Sequence, residues 1–446
     1  MSAPPFDAAS MVELVRSGQM EAFVERAYDL EAADLADVLA SLDEDERLAV
    51  VRLLPPELSS QALAEMPFEE HAEETLAALA PHQAAEIVGE LEDDDAADLI
   101  GELDPATQEY ILAELEDRAE VDRLLRYDEE TAGGLMTTHL IKVLDTDTVA
   151  EALEQIRRQS EEVKDFYQVF VVDQADTLVG TLPLKGLVTS APERPVREFL
   201  EEADIRVAPD LDQEEVARVM ARYNLASVPV VEPSGRLIGR VTFDDVTDVV
   251  EQETTEDLLR FGGVSGDVLS GDWAAAVRSR LPWLLINLFT AFVAKSVIDA
   301  QQDVIRQLPL IAAWLGVIAG MGGNAGTQAL AVTVRRVALG LIAPGDAKRV
   351  ITNELIVGAL NGIANGAVVA AVALLTHAGN ATLGLVVGFA MVGNLVVAGA
   401  SGALIPLLLH RLKVDAAVAS SIFVTTFTDV FGFGLVLLLA RLLLLH

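Results

Sequence analysis

The sequence predicts a multidomain membrane protein with four parts: an α-helical superhelical N-terminal domain, a tandem α/β pair, a connecting acidic helix and a five-helix transmembrane domain. Three observations lead there. Charge and hydropathy change abruptly near residue 270, a strand-and-helix pattern occurs twice in the middle of the chain, and five long apolar stretches fill its end.

The first observation is compositional. The chain has 446 residues, of which 51% are hydrophobic, yet its formal net charge is −39. One compact globule seldom combines the two. Residues 1–270 hold 63 Asp/Glu against 20 Lys/Arg, and the remainder holds 7 against 11. An acidic half therefore precedes an apolar half that is nearly free of charge. The acidic excess disfavours nucleic acid as a partner, because phosphate binding needs Lys and Arg to displace counterions. It favours cations, although acid also serves simply to keep a domain soluble. The absence of cysteine excludes disulfides, thiolate zinc sites and thiol catalysis. The opening MSAPPFDAASMVEL has no basic region followed by an apolar stretch, so no signal peptide is expected and the first half is placed in the cytoplasm.

Residues 1–130 form the expected N-terminal domain, helix after helix from about residue 10 to 128. Apolar positions recur at three- and four-residue spacing, punctuated by Pro55-Pro56-Glu57, Pro67-Phe68-Glu69, Pro81-His82 and Asp104-Pro105. The phrases ALAEMPFEE, AEIVGELEDDD and LIGELDPAT are loosely alike, which suggests stacked helical units, with an ordinary bundle as the competing reading.

Residues 131–250 contain the repeat. One copy runs from Leu135-Met136-Thr137-Thr138 through the amphipathic VAEALEQIRRQ to YQVFVVD and then Leu178-Val179-Gly180-Thr181-Leu182. The other runs from Val207 through EEVARVMARYN to SVPVVEPSGRLIGRVTFDDV. Each reads strand, helix, strand, turn, strand, helix. The pair resembles tandem CBS domains, in which Gly239, Thr242 and Asp245 match the stretch that often contacts an adenine nucleotide. ATP is accordingly an expected modulator, though many such pairs are structural or bind other ligands. Residues 251–275 are a connecting helix and linker, with five acids in the ten residues from Asp248 to Asp257 and Gly262-Gly263 at its end.

Residues 276–446 carry spans expected at about 281–300, 308–333, 350–376, 381–408 and 416–445, each with the roughly 20 apolar residues that cross about 30 Å of hydrocarbon. Arg278, Arg280, Arg335, Arg336, Lys348, Arg349, Arg411 and Lys413 fall in alternate loops, while the opposite side carries little beyond Arg306, with Arg441 near the end of the last span. The positive-inside rule then puts the N-terminus in the cytoplasm and the C-terminus outside. Polar residues inside the spans are costly and point to function. They are Asp429 in Thr425-Thr426-Phe427-Thr428-Asp429, Asn324 in Met321-Gly322-Gly323-Asn324-Ala325-Gly326-Thr327-Gln328, Glu354, Asn361, Asn365 and Asn394. Close helix contact explains most of the small residues, and interhelical hydrogen bonding competes with function for the asparagines. A lone mid-membrane Asp has no such easy explanation.

The GGNAGTQ stretch, the T-x-x-D of the last helix, and the order of helical domain, CBS pair, acidic helix and five spans together resemble the MgtE family of magnesium transporters over essentially the whole chain. The resemblance implies a homodimer in the cell inner membrane that passes Mg2+ into the cytoplasm down its electrochemical gradient. It places Asp429 at the ion-selecting site, with Gly322, Gly323, Asn324 and Thr425 nearby. It also implies closure by Mg2+ bound at Asp94, Asp98, Glu214, Asp245, Asp248, Glu253, Glu256 and Asp257. Three departures stand out: Asn224 in place of a carboxylate, Ser421-Ile422 in place of a Gly/Asn-Pro pair, and Lys295 within the first span. A Co2+ or Mn2+ transporter and a membrane-anchored sensor that moves nothing are the alternatives. No catalytic constellation or phosphate-binding loop is present, and the six histidines are scattered, so an enzyme is not expected.

Overall fold

The computed structural model describes residues 7–67, 70–115, 118–160, 163, 166–264, 273–342, 345–376, 381–412 and 420–445, and the statements below concern these. Phe68, Glu69, the linker at 265–272, His377, Lys413 and His446 lie outside them. The chain divides into two compact units, Met1–Glu253 and Thr254–His446.

The first unit opens with ten short helices. Helices α1–α5 are Ala8–Arg16, Met20–Ala27, Ala32–Ala40, Glu44–Val51 and Pro56–Ala64; α6–α10 are Ala72–Ala77, Pro81–Val88, Asp93–Gly101, Pro105–Glu114 and Arg118–Leu124. Pro56, Pro81 and Pro105 occupy first helical positions, where the missing N–H costs nothing. Asp104 accepts hydrogen bonds from the amides of Ala106 and Thr107, and Asp43 forms a capping box with Glu46. The helices stack in two rows: α1, α3, α5, α7 and α9 follow one another along one side, and α4, α6, α8 and α10 along the other. This is the arrangement of a superhelix of stacked units, in which each helix buries its apolar stripe against the next but one.

The repeat follows. Strands β1 (Lys142–Leu144), β2 (Val169–Val172), β3 (Leu178–Leu182) and β4 (Glu201–Glu202) make a sheet in that order, parallel between β1 and β2 and antiparallel beyond. Helices α11 (Val149–Gln159) and α12 (Leu184–Thr189) belong to this copy. The second copy has α13 (Gln213–Tyr223), β5 (Ser227–Val231), β6 (Leu237–Thr242) and α14 (Phe243–Phe261). Its leading strand is reduced to a single parallel bridge between Val207 and Val230. Pro209, two residues on, has no N–H to extend the ladder. Asn224 ends α13 in the left-handed conformation at φ +52°, a backbone role that suits Asn.

Two larger apolar cores organise this half, and a small cluster of Phe170, Val172, Leu178, Val231 and Leu237 joins the two copies of the repeat. One of the larger cores joins the stacked helices to the second copy, through Ile100, Leu112, Met136, Val216 and Val230 among others, and the other fills the first copy around Ile141, Val169 and Leu182.

The second unit is a bundle. Helices α15 (Trp273–Ala300), α17 (Leu310–Ala338), α18 (Ala347–Thr376), α19 (Ala381–Arg411) and α20 (Ser420–Leu444) are each long and apolar enough to cross a membrane, and α16 (Gln302–Gln307) is a short turn between the first two. Helix α19 is central, touching α17, α18 and α20. Its seam with α18 is made by Gly358, Gly362 and Gly366; a Cβ on Gly362 would lie 2.9 Å from the Val392 Cα. Small residues let the backbones approach where lipid supplies no hydrophobic drive. Lys295 pairs with Asp299 one turn on, at 2.5 Å.

Candidate metal sites

In the first unit, the first turns of α8 and α14 both carry runs of acid: Asp93, Asp94 and Asp95 on one, Asp244 and Asp245 on the other. Helix N-termini favour negative charge, which lets such runs persist. Burial, then Asp245, pushes Asp94 well above the usual carboxylate range. The same two causes raise Asp95 to about 7. Asp98, one turn along α8, is raised by the same causes, although its side chain still reaches solvent and water screens it more than the other two. Burial raises Asp245 to about 6, against hydrogen bonds from Thr242 that lower it. Asp248 is raised by burial and by Glu65. The charges that weigh most on Asp94, Asp95 and Asp98 are all negative.

Asp94 is 7% exposed and its Oδ1 has no hydrogen-bond partner. A buried carboxylate oxygen with no donor is expensive. The charges that weigh most on it, Asp245, Asp95, Asp93 and Glu92, are all carboxylates, the ligand type of a hard divalent cation. Asp94, Asp95, Asp98 and Asp245 offer the chemistry Mg2+ prefers, but among the described residues no three of them bring ligand atoms within 4.8 Å of one another.

The remaining expected sensor residues are separate from this cluster or differently engaged. Glu214, in the first turn of α13, pairs with Arg218. Glu253 accepts a 2.6 Å hydrogen bond from the Gln213 Nε2. Glu256 and Asp257 lie on the part of α14 that belongs to the second unit, where Glu256 pairs with Arg260. Of the expected nucleotide contacts, Gly239 is buried in β6, where a Cβ would lie 2.7 Å from the Met136 sulfur and 2.8 Å from the Thr137 carbonyl oxygen. Thr242 is buried and donates to Asp245. This corner is closely filled and acidic, an unfavourable setting for phosphates.

Sequence reasoning missed Asp95 and a neighbouring group. Asp93 accepts from the Thr137 hydroxyl at 2.6 Å and the Thr138 amide at 3.0 Å, tying α8 to the segment before β1. His139 lies beside it, with Nδ1 3.6 Å from Asp93 and Nε2 3.8 Å from Glu120 on α10. Among the described residues, Asp93, Glu120 and His139 can offer ligand atoms within 4.8 Å of one another. They are 19 or more positions apart in the chain, so no spacing motif announces them.

In the second unit, Asp429 and Thr425 lie one turn apart on α20, and Gly322, Gly323 and Asn324 on α17. A Cβ on Gly323 would lie 4.0 Å from the Thr425 Cγ2, so these two expected neighbours are brought together. Asn324 is exposed within the isolated unit and Asp429 is half-buried. Among the described residues Asp429 has no ion-pair or hydrogen-bond partner. The organising residue is Asn394 of α19, which is fully buried. Its Nδ2 donates to the Ile318 carbonyl at 2.8 Å. Gly322 leaves room for it, since a Cβ there would collide with the amide, and Gly432 does the same on α20, with Nδ2 2.9 Å from where a Cβ would stand. One amide thus seats both helices that bear the candidate pore residues.

The fold and these sites define a multi-pass membrane protein with an acidic, CBS-containing soluble half and a glycine-notched bundle carrying an unpaired carboxylate. Family models agree along the chain: residues 30–130 match the MgtE intracellular N domain, 132–193 and 196–252 the CBS domain, and 315–439 the MgtE divalent cation transporter domain. A magnesium transporter MgtE of Thermus thermophilus is 36% identical over 444 residues, covering 98% of each chain. One of Enterococcus faecalis is 35% identical over 425 residues, covering 94% of this chain and 93% of its own. The solved cytosolic domain of the Mg2+ channel MgtE in complex with ATP matches with a TM-score of 0.51 and 37% identity, over 55% of this chain and all of its own. The chain belongs to the MgtE family of divalent cation transporters.

Proposed function

We propose that this chain is a Mg2+ channel that admits Mg2+ to the cytoplasm down its electrochemical gradient, as a homodimer with both soluble halves on the cytoplasmic side. The observation that carries the transport reading is Asp429, a carboxylate on a membrane-spanning helix with no partner among the described residues. Its desolvation is tolerable only beside water, an ion or a second copy. Mg2+ gives up its water reluctantly, so one carboxylate from each of two copies, with Asn324 and backbone oxygens of α17, would attract the ion while leaving its hydration shell largely in place. The basic residues at the end of α17 and the start of α18, Arg335, Arg336, Lys348 and Arg349, support the cytoplasmic assignment.

Closure by cytoplasmic Mg2+ is supported by the crowded acids around Asp94. Two unit charges 4 Å apart repel by about 4 kcal/mol at an effective dielectric near 20, so a few such pairs are enough to make the contact between the stacked helices and the CBS pair respond to a cation. Asp248 shares in the same crowding, and Glu214, Glu253, Glu256 and Asp257 are the further carboxylates that the family resemblance assigns to closure. The relative solved with ATP supports a nucleotide as modulator.

The test is Mg2+ uptake into proteoliposomes containing the purified chain, beside Asp429→Ala. Uptake that falls by about tenfold or more in the variant supports a passage through Asp429. Uptake of Co2+ or Mn2+ but not Mg2+ would reassign the ion. No uptake of any divalent, at low or high Mg2+ on the cytoplasmic face, would leave the non-transporting sensor.

A further inference from the structure

Glu354 has no task in the reading above. It lies seven residues inside α18, about 10 Å along a helix that is otherwise long and apolar enough to cross a membrane. Among the described residues it makes no hydrogen bond or ion pair. It borders a cavity of about 240 Å³ between α17, α18 and α19, together with Gln328, Asn361, Ala325, Gly358 and Gly399.

Two of the walls, α18 and α19, cannot come closer where they meet. A Cβ on Gly358 would lie 2.5 Å from the Leu395 carbonyl oxygen, and one on Gly399 would collide with the carbonyl oxygen of Glu354 itself. The backbones of α18 and α19 are therefore already in contact along one edge of the hollow. At about 30 Å³ for each water in the liquid, it has room for a cation with its first hydration shell.

The lining chemistry is specific. Glu354 and Asn361 are two turns apart on α18, with Val357 and Gly358 between them on the same wall. Gln328 faces them from α17. One carboxylate and two amide carbonyls form an all-oxygen set, suited to a hard divalent ion that keeps most of its water. Gln328 is also one turn from Asn324, and both side chains are exposed on α17. A packing role would be filled as well by an apolar side chain, at none of the cost of a membrane carboxylate.

We propose that this cavity is a second divalent-cation site of the membrane unit, with Glu354 supplying its charge and Asn361 and Gln328 its neutral oxygens. The proposal rests on the transport reading and places a further stop for the ion along α17.

The experiment measures the concentration dependence of Mg2+ uptake in proteoliposomes for the wild type, the near-isosteric Glu354→Gln, and Asn361→Asp, with the melting temperature of each. Removing the charge should raise the half-saturating Mg2+ concentration by about five- to tenfold, and adding a second carboxylate should lower it. Opposite shifts at similar melting temperatures are the expected result, because a structural role would not change sign with charge. An unchanged half-saturating concentration in Glu354→Gln beside an active wild type overturns this proposal alone. So does a loss of uptake in both variants that tracks a fall in melting temperature. A wild type that carries no Mg2+ overturns the transport reading, and this proposal with it.

Discussion

Around Asp94 the soluble unit crowds carboxylates until burial and mutual repulsion raise their pKa values, with Asp95 at about 7 and Asp245 at about 6. Around Asp429 the membrane unit uses a single carboxylate, on a helix that Gly432 fits to Asn394 as Gly322 fits α17. The first arrangement collects charge and leaves geometry to the ion; the second fixes geometry and uses charge sparingly. Solvent explains the difference. In the soluble unit surplus acids can take up protons from water until a cation replaces them, whereas in hydrocarbon each extra ionised group must be individually accommodated. The contrast suits a regulatory site that responds to concentration and a selecting site that responds to size.

The largest effect that would break this contrast comes from neutralising the crowded acids. Asp94→Asn with Asp98→Asn should retain Mg2+ uptake but lose shutdown by cytoplasmic Mg2+. A Mg2+ concentration of 100 times the dissociation constant should stabilise the wild-type protein by about 2.7 kcal/mol, and this stabilisation should be largely absent from the double variant, as read by thermal melting with and without Mg2+. A double variant that still gains the full Mg2+ stabilisation would show that the acids around Asp94 are not the binding site.

A smaller effect tests the membrane side. Gly322→Ala places a methyl where the Asn394 amide lies and should cost about 1–3 kcal/mol, seen as a lower melting temperature that Mg2+ does not restore. Uptake and melting both at wild-type values would show that α17 is not held by Asn394.

The smallest effect is with pH. Asp94, Asp95 and Asp245 bind protons more tightly in the folded unit than in the unfolded chain. The stability they contribute is therefore fully present below the ordinary carboxylate pKa near 4 and is lost as pH rises through about 6 to 7. Without divalent cations the melting temperature should fall from pH 5 to pH 8, and added Mg2+ should recover more of it at pH 8 than at pH 5, because protons and Mg2+ compete for the same oxygens. A melting temperature that rises over this interval in Mg2+-free buffer would contradict the crowded-acid account.

Much of this was legible in the chain. Period and hydropathy placed the repeat and the five spans, and Pro56, Pro81 and Asp104 marked helix starts that the structure realises as caps and first positions. Pro209 could have warned that the second copy's leading strand would shrink to a bridge. The sites were less legible, for a physical reason: they depend on which distant residues meet. Asp94 and Asp98 came from resemblance, and Asp95 looked no different from its neighbours until α14 placed Asp245 against it. The ties from Asp93 to Thr137 and Thr138 span more than forty positions. Asn394 was visible as a costly membrane amide, but its two glycine seats on other helices were not. Glu354 was visible too, without the hollow that gives it a purpose.

The seating of Asn394 has a mechanical consequence. Helices α17 and α20 are both fitted to one side chain at the level of Gly322 and Gly432, a few residues from Asn324 and Asp429. If the bundle tilts to widen or narrow a passage, this level acts as a fulcrum: displacement grows toward the helix ends and is least at the pivot. The groups that would choose the ion therefore keep their spacing while the mouths swing, so that whether the passage is open and what it accepts can vary independently.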